Sequence, residues 1–225
     1  MKKLYTVIGA LLFAAVGFAQ SGGSLPNVPK QSAQKQHATI LPKMTTPLVQ
    51  TPSSVPVPKA APTIFWSDDF SNQANWVVGH TNGTTGDWVI GTAPLAFVGI
   101  VNSTSGTPFA GFDSDAQGQG TTNDAWIQMA TPVNLQGIGS VVVNWEQVYQ
   151  RFQDDVFIDV SVDGATWTTF QVNDDIGVNQ ATGNPDFRSL DISSVAANQA
   201  TVWVRFRYFG AWDYAWAIDD ISEPP

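Results

Sequence analysis

From Ile64 onward the chain holds no stretch with the spacing of a long amphipathic helix. It advances in short runs of period two, each stopped by turn residues. The clearest run is Asp155–Asp163. Val156, Ile158, Val160 and Val162 fall on one face, while Asp155, Asp159, Ser161 and Asp163 lie opposite with Phe157. Asp163-Gly164 then predicts a hairpin turn into a strand over Thr166–Val172. Val141–Trp145 and Thr201–Tyr208 are bulkier, as central strands are. Phe65–Phe70, Trp76–Val78, Trp88–Ile90, Phe109–Phe112, Ala125–Met129, Phe187–Leu190 and Ala215–Ile221 are further candidates. About ten strands with no helices between them predict an all-β, antiparallel two-sheet sandwich.

Charge divides the chain in two. All six lysines lie at or before Lys59, and all nineteen acidic residues lie at or after Asp68. Residues 68–225 hold four arginines against nineteen acids, a net −15. The first part reads as leader. Lys2 and Lys3 precede a thirteen-residue apolar run, Leu4–Val16, and Gly17-Phe18-Ala19 ends in small residues, which predicts a signal peptide over 1–19 cleaved before Gln20. That run is shorter than the roughly 20 residues a transmembrane helix needs, and no other stretch qualifies. Residues 20–62 carry eight prolines among Gln, Ser, Thr, Lys and Ala without apolar periodicity, the composition of a disordered linker. Residues 63–225 are the folded domain, long enough for one core and holding all nine tryptophans. The chain has no cysteine, so disulfides contribute nothing and a lipoprotein anchor is excluded. The acidic body argues against nucleic acid, which demands Lys and Arg. The expected location is secreted, extracellular or at the cell surface; nothing in the sequence reads on oligomeric state.

So many carboxylates with so few cations must go to water, to turns or to a bound cation. Asp87, Asp163, Asp174, Asp175 and Asp186 suit turns. Asp219-Asp220 is different: strict alternation sends the two to opposite faces, so one points toward the sandwich interior or its rim, where a carboxylate is costly without partners. The ending Ala217-Ile218-Asp219-Asp220-Ile221, with an aromatic residue and a glycine shortly upstream, resembles the closing signature of MAM (meprin-type) domains. Asp68-Asp69-Phe70, Ala125-Trp126-Ile127 and the Asp155–Trp167 run are similar to the bacterial relatives, including cleaved-adhesin modules of secreted Bacteroidetes proteins. The resemblance covers residues 64–222. It implies a jelly-roll sandwich, a non-catalytic role in extracellular adhesion or recognition, and a structural Ca²⁺ near the joined N- and C-terminal strands. On that resemblance Asp69 and Asp219 are the first expected Ca²⁺ ligands and Asp68 and Asp220 the next. Asp113, Asp115 and Asp124 resemble the acidic loop of the bacterial members. They complete a shell of roughly six to eight oxygens or form a second site. The absence of cysteine departs from animal MAM domains and favours the bacterial branch. Bacterial relatives often continue into further domains, which are not present here.

The run Tyr208–Trp216 offers a second candidate. Aromatic rings beside polar groups stack on sugars, and Trp212 and Tyr214, beside Asp213, are the rings expected to be exposed; most other tryptophans are expected in the core. Arg205 and Arg207 share a strand face, where they pair with Asp or contact an acidic ligand. Catalysis has little support. His80 is the one histidine of the body, no nucleophile elbow occurs, and Glu146 lacks the paired carboxylate pattern of glycosidases. The chain therefore reads as a non-enzymatic recognition module for a surface protein or glycan. The alternatives are a carbohydrate-binding accessory module of a larger secreted hydrolase and a structural component of an extracellular assembly.

Overall fold

The computed structural model describes residues 39–40, 64–106 and 108–223. The expected signal peptide, and all of the expected linker except two residues, lie outside them. Strands run β1 (Thr39–Ile40), β2 (Trp66–Asp68), β3 (Trp76–His80), β4 (Val89–Gly91), β5 (Phe109–Asp113), β6 (Asn123–Met129) and β7 (Val142–Tyr149). They continue as β8 (Asp155–Ser161), β9 (Thr168–Val172), β10 (Gln180–Ala181), β11 (Asp186–Asp191), β12 (Trp203–Gly210) and β13 (Ala215–Glu223). Among the described residues helix is confined to α1 (Ser193–Ala196) and two 3-10 turns, Gln73–Asn75 and Asp115–Gln117.

The fold is all-β, with two antiparallel sheets. One orders β11-β7-β13-β5-β4, with β2 also against β13; the other orders β3-β6-β12-β8-β9. The chain changes sheet at nearly every connection. Among strands of these two sheets, only β4–β5 and β8–β9 are consecutive and paired. The second pair is the hairpin read from Asp163-Gly164, and Gly164 takes φ 72°, a conformation that glycine adopts without steric cost. The β2–β13 pairing sets Asp68 opposite Ile221, so the first and last strands of the domain meet as expected. Within the segment expected to be unstructured, β1 pairs in parallel with β10.

Period two explains the core. Val156, Ile158 and Val160 of β8, Val204, Phe206 and Tyr208 of β12, and Ile127 and Met129 of β6 face inward and are buried. They meet Trp145, Trp216, Phe112 and Ile218 of the other sheet. Phe206 takes Trp145 at 5.9 Å and Trp216 at 5.8 Å between ring centroids, and Phe112 stacks on Tyr208 at 4.7 Å. A buried indole needs a partner for its N–H; those of Trp145 and Trp216 both donate to Gln147 Oε1, at 2.9 and 2.8 Å. The core claims fewer tryptophans than expected. Trp76, Trp88, Trp145 and Trp216 are buried, whereas Trp66, Trp126, Trp167, Trp203 and Trp212 keep part of their surface.

A second, smaller apolar cluster lies on the outer face of the six-stranded sheet. There Val101, Phe109, Leu95 and Val98 cover Val148 of β7 and Ala217 of β13. Residues 92–106 thus form a strap across that face, which no periodicity in the sequence announced.

Candidate functional site

The seven carboxylates expected to hold Ca²⁺ fall into separate environments. Asp68 is a local clamp. Its Oδ1 accepts from Phe70 N–H and Trp76 Nε1, both at 2.8 Å, and its Oδ2 from Asn75 Nδ2 at 2.5 Å. Asp69 accepts from Ser71 N–H at 3.0 Å, and its Ser71 contacts lower its pKa. Asp113 holds Ala96 N–H at 2.7 Å and Ala116 N–H at 2.9 Å, and Asp115 opens a 3-10 turn. Asp124 stands on the other sheet, bound to Arg207 and to Thr81 Oγ1. The expected grouping of Asp113, Asp115 and Asp124 as one shell is therefore not formed, because β5 and β6 belong to different sheets.

Asp219 and Asp220 have a different fate. Inward positions on β13 are Trp216, Ile218 and Ile221, so Asp219 faces outward beside Ala217, and the register shifts between Asp219 and Ser222. Asp220 absorbs that shift at φ 47°. Asp219 is nonetheless fully enclosed, because the strap covers it. Ser103 Oγ donates to its Oδ2 at 2.5 Å and Asp220 N–H to its Oδ1 at 2.8 Å. Ser105 N–H donates to Asp220 Oδ2 at 2.8 Å, and Thr104 occupies both oxygens of Glu146, the cross-strand neighbour of Asp219. Burial pushes the Asp219 carboxyl up to about 7. Hydrogen bonds from Ser103 and Asp220 oppose the rise, while the charges of Asp220 and Asp69 add to it. The chain's own donors thus already take both oxygens of Asp219 and both of Glu146. Among the described residues no group of three or more His, Asp or Glu side chains is arranged to hold a metal. As arranged, these residues do not fit a Ca²⁺ ion.

The aromatic run also departs from expectation. Tyr214 is fully buried, its ring against Phe97 of the strap at 4.8 Å and Phe152 at 5.8 Å, and its hydroxyl donates to Asn179 Oδ1 at 2.6 Å. Asp213 is buried too. It accepts from Ala211 N–H at 2.5 Å and Gln153 N–H at 3.1 Å. The run between β12 and β13 is a tight turn that needs Asp213 for its own backbone donors. Trp212 alone of the three keeps some exposure, at φ 54°. Asp154 lies near Asp213 and receives the Tyr149 hydroxyl at 2.8 Å; burial and then the Asp213 charge push its pKa up. His80 pairs with Asp87 at 2.8 Å on the surface.

The exposed aromatic surface lies elsewhere, on the outer face of the five-stranded sheet. Strand register places Gly79 (β3), Trp126 (β6), Arg207 (β12) and Phe157 (β8) in one row, and Gln128, Arg205 and Asp159 in the next. Arg205 lies between two indoles, 5.0 Å from the Trp126 ring centroid and 4.1 Å from that of Trp167. Its Nε donates to Asp159 Oδ2 at 2.7 Å, and Asp159 is fully buried with Oδ1 unpartnered. Arg207 repeats the arrangement. It sits 5.2 Å from Phe157 and 5.7 Å from Phe209, with Nε on Asp124 at 2.6 Å. Gly79 makes the first indole possible. A Cβ there would stand 2.9 Å from Trp126 Cζ2, so only glycine lets the ring lie over β3. Each such cation–aromatic contact is worth about 0.5–2 kcal/mol.

Sequence reading found the two arginines and left their partners open; the structure pairs both with Asp. It missed Trp126 and Trp167 as surface rings. The signal was present in the alternation of Arg205, Arg207 and Phe209 opposite the outward Asp155, Phe157 and Asp159, but cross-strand register was needed to join them.

No family model and no curated protein matches this chain. Among solved structures, the K1 cleaved adhesin domain of Lys-gingipain from Porphyromonas gingivalis W83 is similar at 17% identity and a TM-score of 0.49, over 70% of this chain and 96% of that one. The K3 domain of the same protein gives 16% and 0.48, over 73% and 99%. TmCBM61, solved with β-1,4-galactotriose, gives 14% and 0.43, over 69% and 89%. Similarity this distant assigns neither ligand nor activity.

Proposed function

We propose that this chain is a secreted, non-catalytic recognition module that binds a glycan on the outer face of its five-stranded sheet. The observation that carries this reading is the Trp126–Arg205–Trp167 stack, with Trp126 and Arg205 on paired strands, Trp167 just before β9, and Arg207, Phe157 and Phe209 beside it. Saccharide rings offer apolar C–H faces and polar edges. A surface of half-buried rings interleaved with oriented polar groups matches both, and strands hold such groups more firmly than loops. A non-catalytic role is favoured by Glu146, whose two oxygens are both occupied by Thr104, and by His80, whose Nδ1 pairs with the surface Asp87. Export is favoured by the N-terminal sequence, and no helix among the described residues is long and apolar enough to cross a membrane.

Trp126→Ala and Trp167→Ala, run against wild type by affinity electrophoresis over a panel of soluble polysaccharides, test the reading. Retardation is expected to fall at least fivefold in each variant with the fold retained by circular dichroism. Unchanged retardation in both variants refutes the assignment.

An extracellular protein is the second reading. It is favoured by β3, an edge strand with Val77 and Val78 both exposed, which offers an unpaired backbone row for strand addition.

A further inference from the structure

We infer that the platform selects a carboxylate-bearing saccharide, a uronate-type sugar, through the free ends of Arg205 and Arg207; this deepens the glycan reading and rests on it.

The four arginines divide by how they are used. Arg151 spends both terminal nitrogens, on the Asp174 and Ile176 carbonyls and on Asp155. Arg188 donates through Nε to Asp186 and through Nη1 to both oxygens of Asp175. Arg205 and Arg207 instead engage their carboxylates through Nε alone. The terminal nitrogens of Arg205 and Arg207 have no hydrogen-bond partner among the described residues. The nearest approach is Arg207 Nη1 to Asp159 at 3.9 Å. These nitrogens are not enclosed and reach solvent. The aromatic rings fix the guanidinium planes, and the Nε bonds fix their rotation. What remains outward is a forked donor edge on each, two residues apart on one strand, about 7 Å.

Most acceptors of the same surface are enclosed or engaged. Asp159 is buried, Asp124 is taken by Arg207 and Thr81, and Asp155 receives Arg151 and Gln171 through Oδ1. Beside the rings the outward polar groups are the two guanidinium ends, while Asp155 Oδ2 and the Gln128 and Gln171 amide oxygens are the acceptors left on the neighbouring strands. A neutral sugar hydroxyl both gives and takes hydrogen bonds, whereas a carboxylate only takes them, and its planar geometry matches a guanidinium fork in two parallel bonds. On a body of net −15 these are the cations left for an outside partner.

The test is titration calorimetry of the full chain with polygalacturonate and with its fully methyl-esterified form, alongside dextran sulfate and dextran. Polygalacturonate is expected to bind at least tenfold more tightly than its ester and to weaken at least fivefold between 50 and 300 mM NaCl. Arg207→Gln is expected to remove most of that preference. So is Arg205→Lys, which keeps a cation for Asp159 but lacks the fork, with the melting temperature tracked in each. Equal affinity for acid and ester, with binding lost in Trp126→Ala, overturns the carboxylate inference and leaves the platform standing. Preference for dextran sulfate over dextran without preference for polygalacturonate overturns it in favour of sulfate. Binding to none of the four overturns both readings.

Discussion

Stability should fall as pH rises from 5 to 8, and Asp219 is the residue with which to prove it. Its carboxyl rises from 3.8 to about 7 in the fold. A group with a raised folded pKa binds its proton more tightly native than unfolded. Below pH 3.8 it is neutral in both states and costs nothing. Above that value the unfolded chain ionises first, and the penalty grows until the folded carboxyl also titrates near 7. Three units at about 1.4 kcal/mol each set an upper limit of about 4 kcal/mol. Only a single strap shields the group, so solvent screening reduces this to about 2 kcal/mol. For a domain of this size that corresponds to about 4–8 °C in Tm. Glu223 (from 4.5 to about 7, by burial) and Asp154 act in the same direction. Asp69, Asp163 and Asp191, whose pKa values are lowered, act oppositely but only below about pH 4. Asp219→Asn fixes the neutral form. In EDTA, differential scanning calorimetry from pH 4.5 to 8 should show wild-type Tm declining and the variant declining several degrees less. A slope in Asp219→Asn equal to wild type, or a wild-type Tm that climbs with pH, refutes the reasoning. Ca²⁺ gives a separate readout in the same scans. With Asp219 and Glu146 held by the chain's own donors, the wild-type Tm at pH 8 should be the same with Ca²⁺ as in EDTA; a clear rise contradicts the poor fit.

Arg205→Gln leaves the enclosed Asp159 carboxylate without its cation and should cost about 3 kcal/mol in urea unfolding at pH 7. A loss under about 1 kcal/mol, no more than a surface pair is worth, refutes the argument. Gly79→Ala puts a methyl group 2.9 Å from Trp126 Cζ2, so the ring must lift from β3. The expected result is a loss of about 1–2 kcal/mol with a red-shifted Trp fluorescence and weaker polysaccharide retardation; an unchanged spectrum contradicts the close fit.

The eleven strands read from residues 63–225 all exist, because each buries one face against the other sheet and carries period two in its composition. β1 and β10, two residues each, are too short to leave a pattern. Burial of the outer-face carboxylates was less legible. Asp159 and Asp219 alternate as surface residues, yet one is enclosed beneath Arg205 and its rings and the other beneath the strap. The strap itself anchors through Leu95, Val98 and Val101 at irregular spacing, and Tyr214 is covered by Phe97 from the same segment. Partners distant in sequence decide such burial, and local pattern does not encode them. The resemblance joined the terminal strands correctly, while most of the hydrogen bonds that occupy Asp219, Asp220 and Glu146 come from residues 103–105, outside its motifs.

β13 is the middle of its sheet, flanked by β7 on one edge and by β5 and β2 on the other. A chain emerging from a ribosome or a translocation pore cannot close that layer until residues 215–223 are free, since β7, β5 and β2 are joined only through β13. Nearly all pairings also join segments far apart along the chain, which slows premature collapse into native contacts. A polypeptide wired this way keeps its six-stranded layer open until the central strand has arrived.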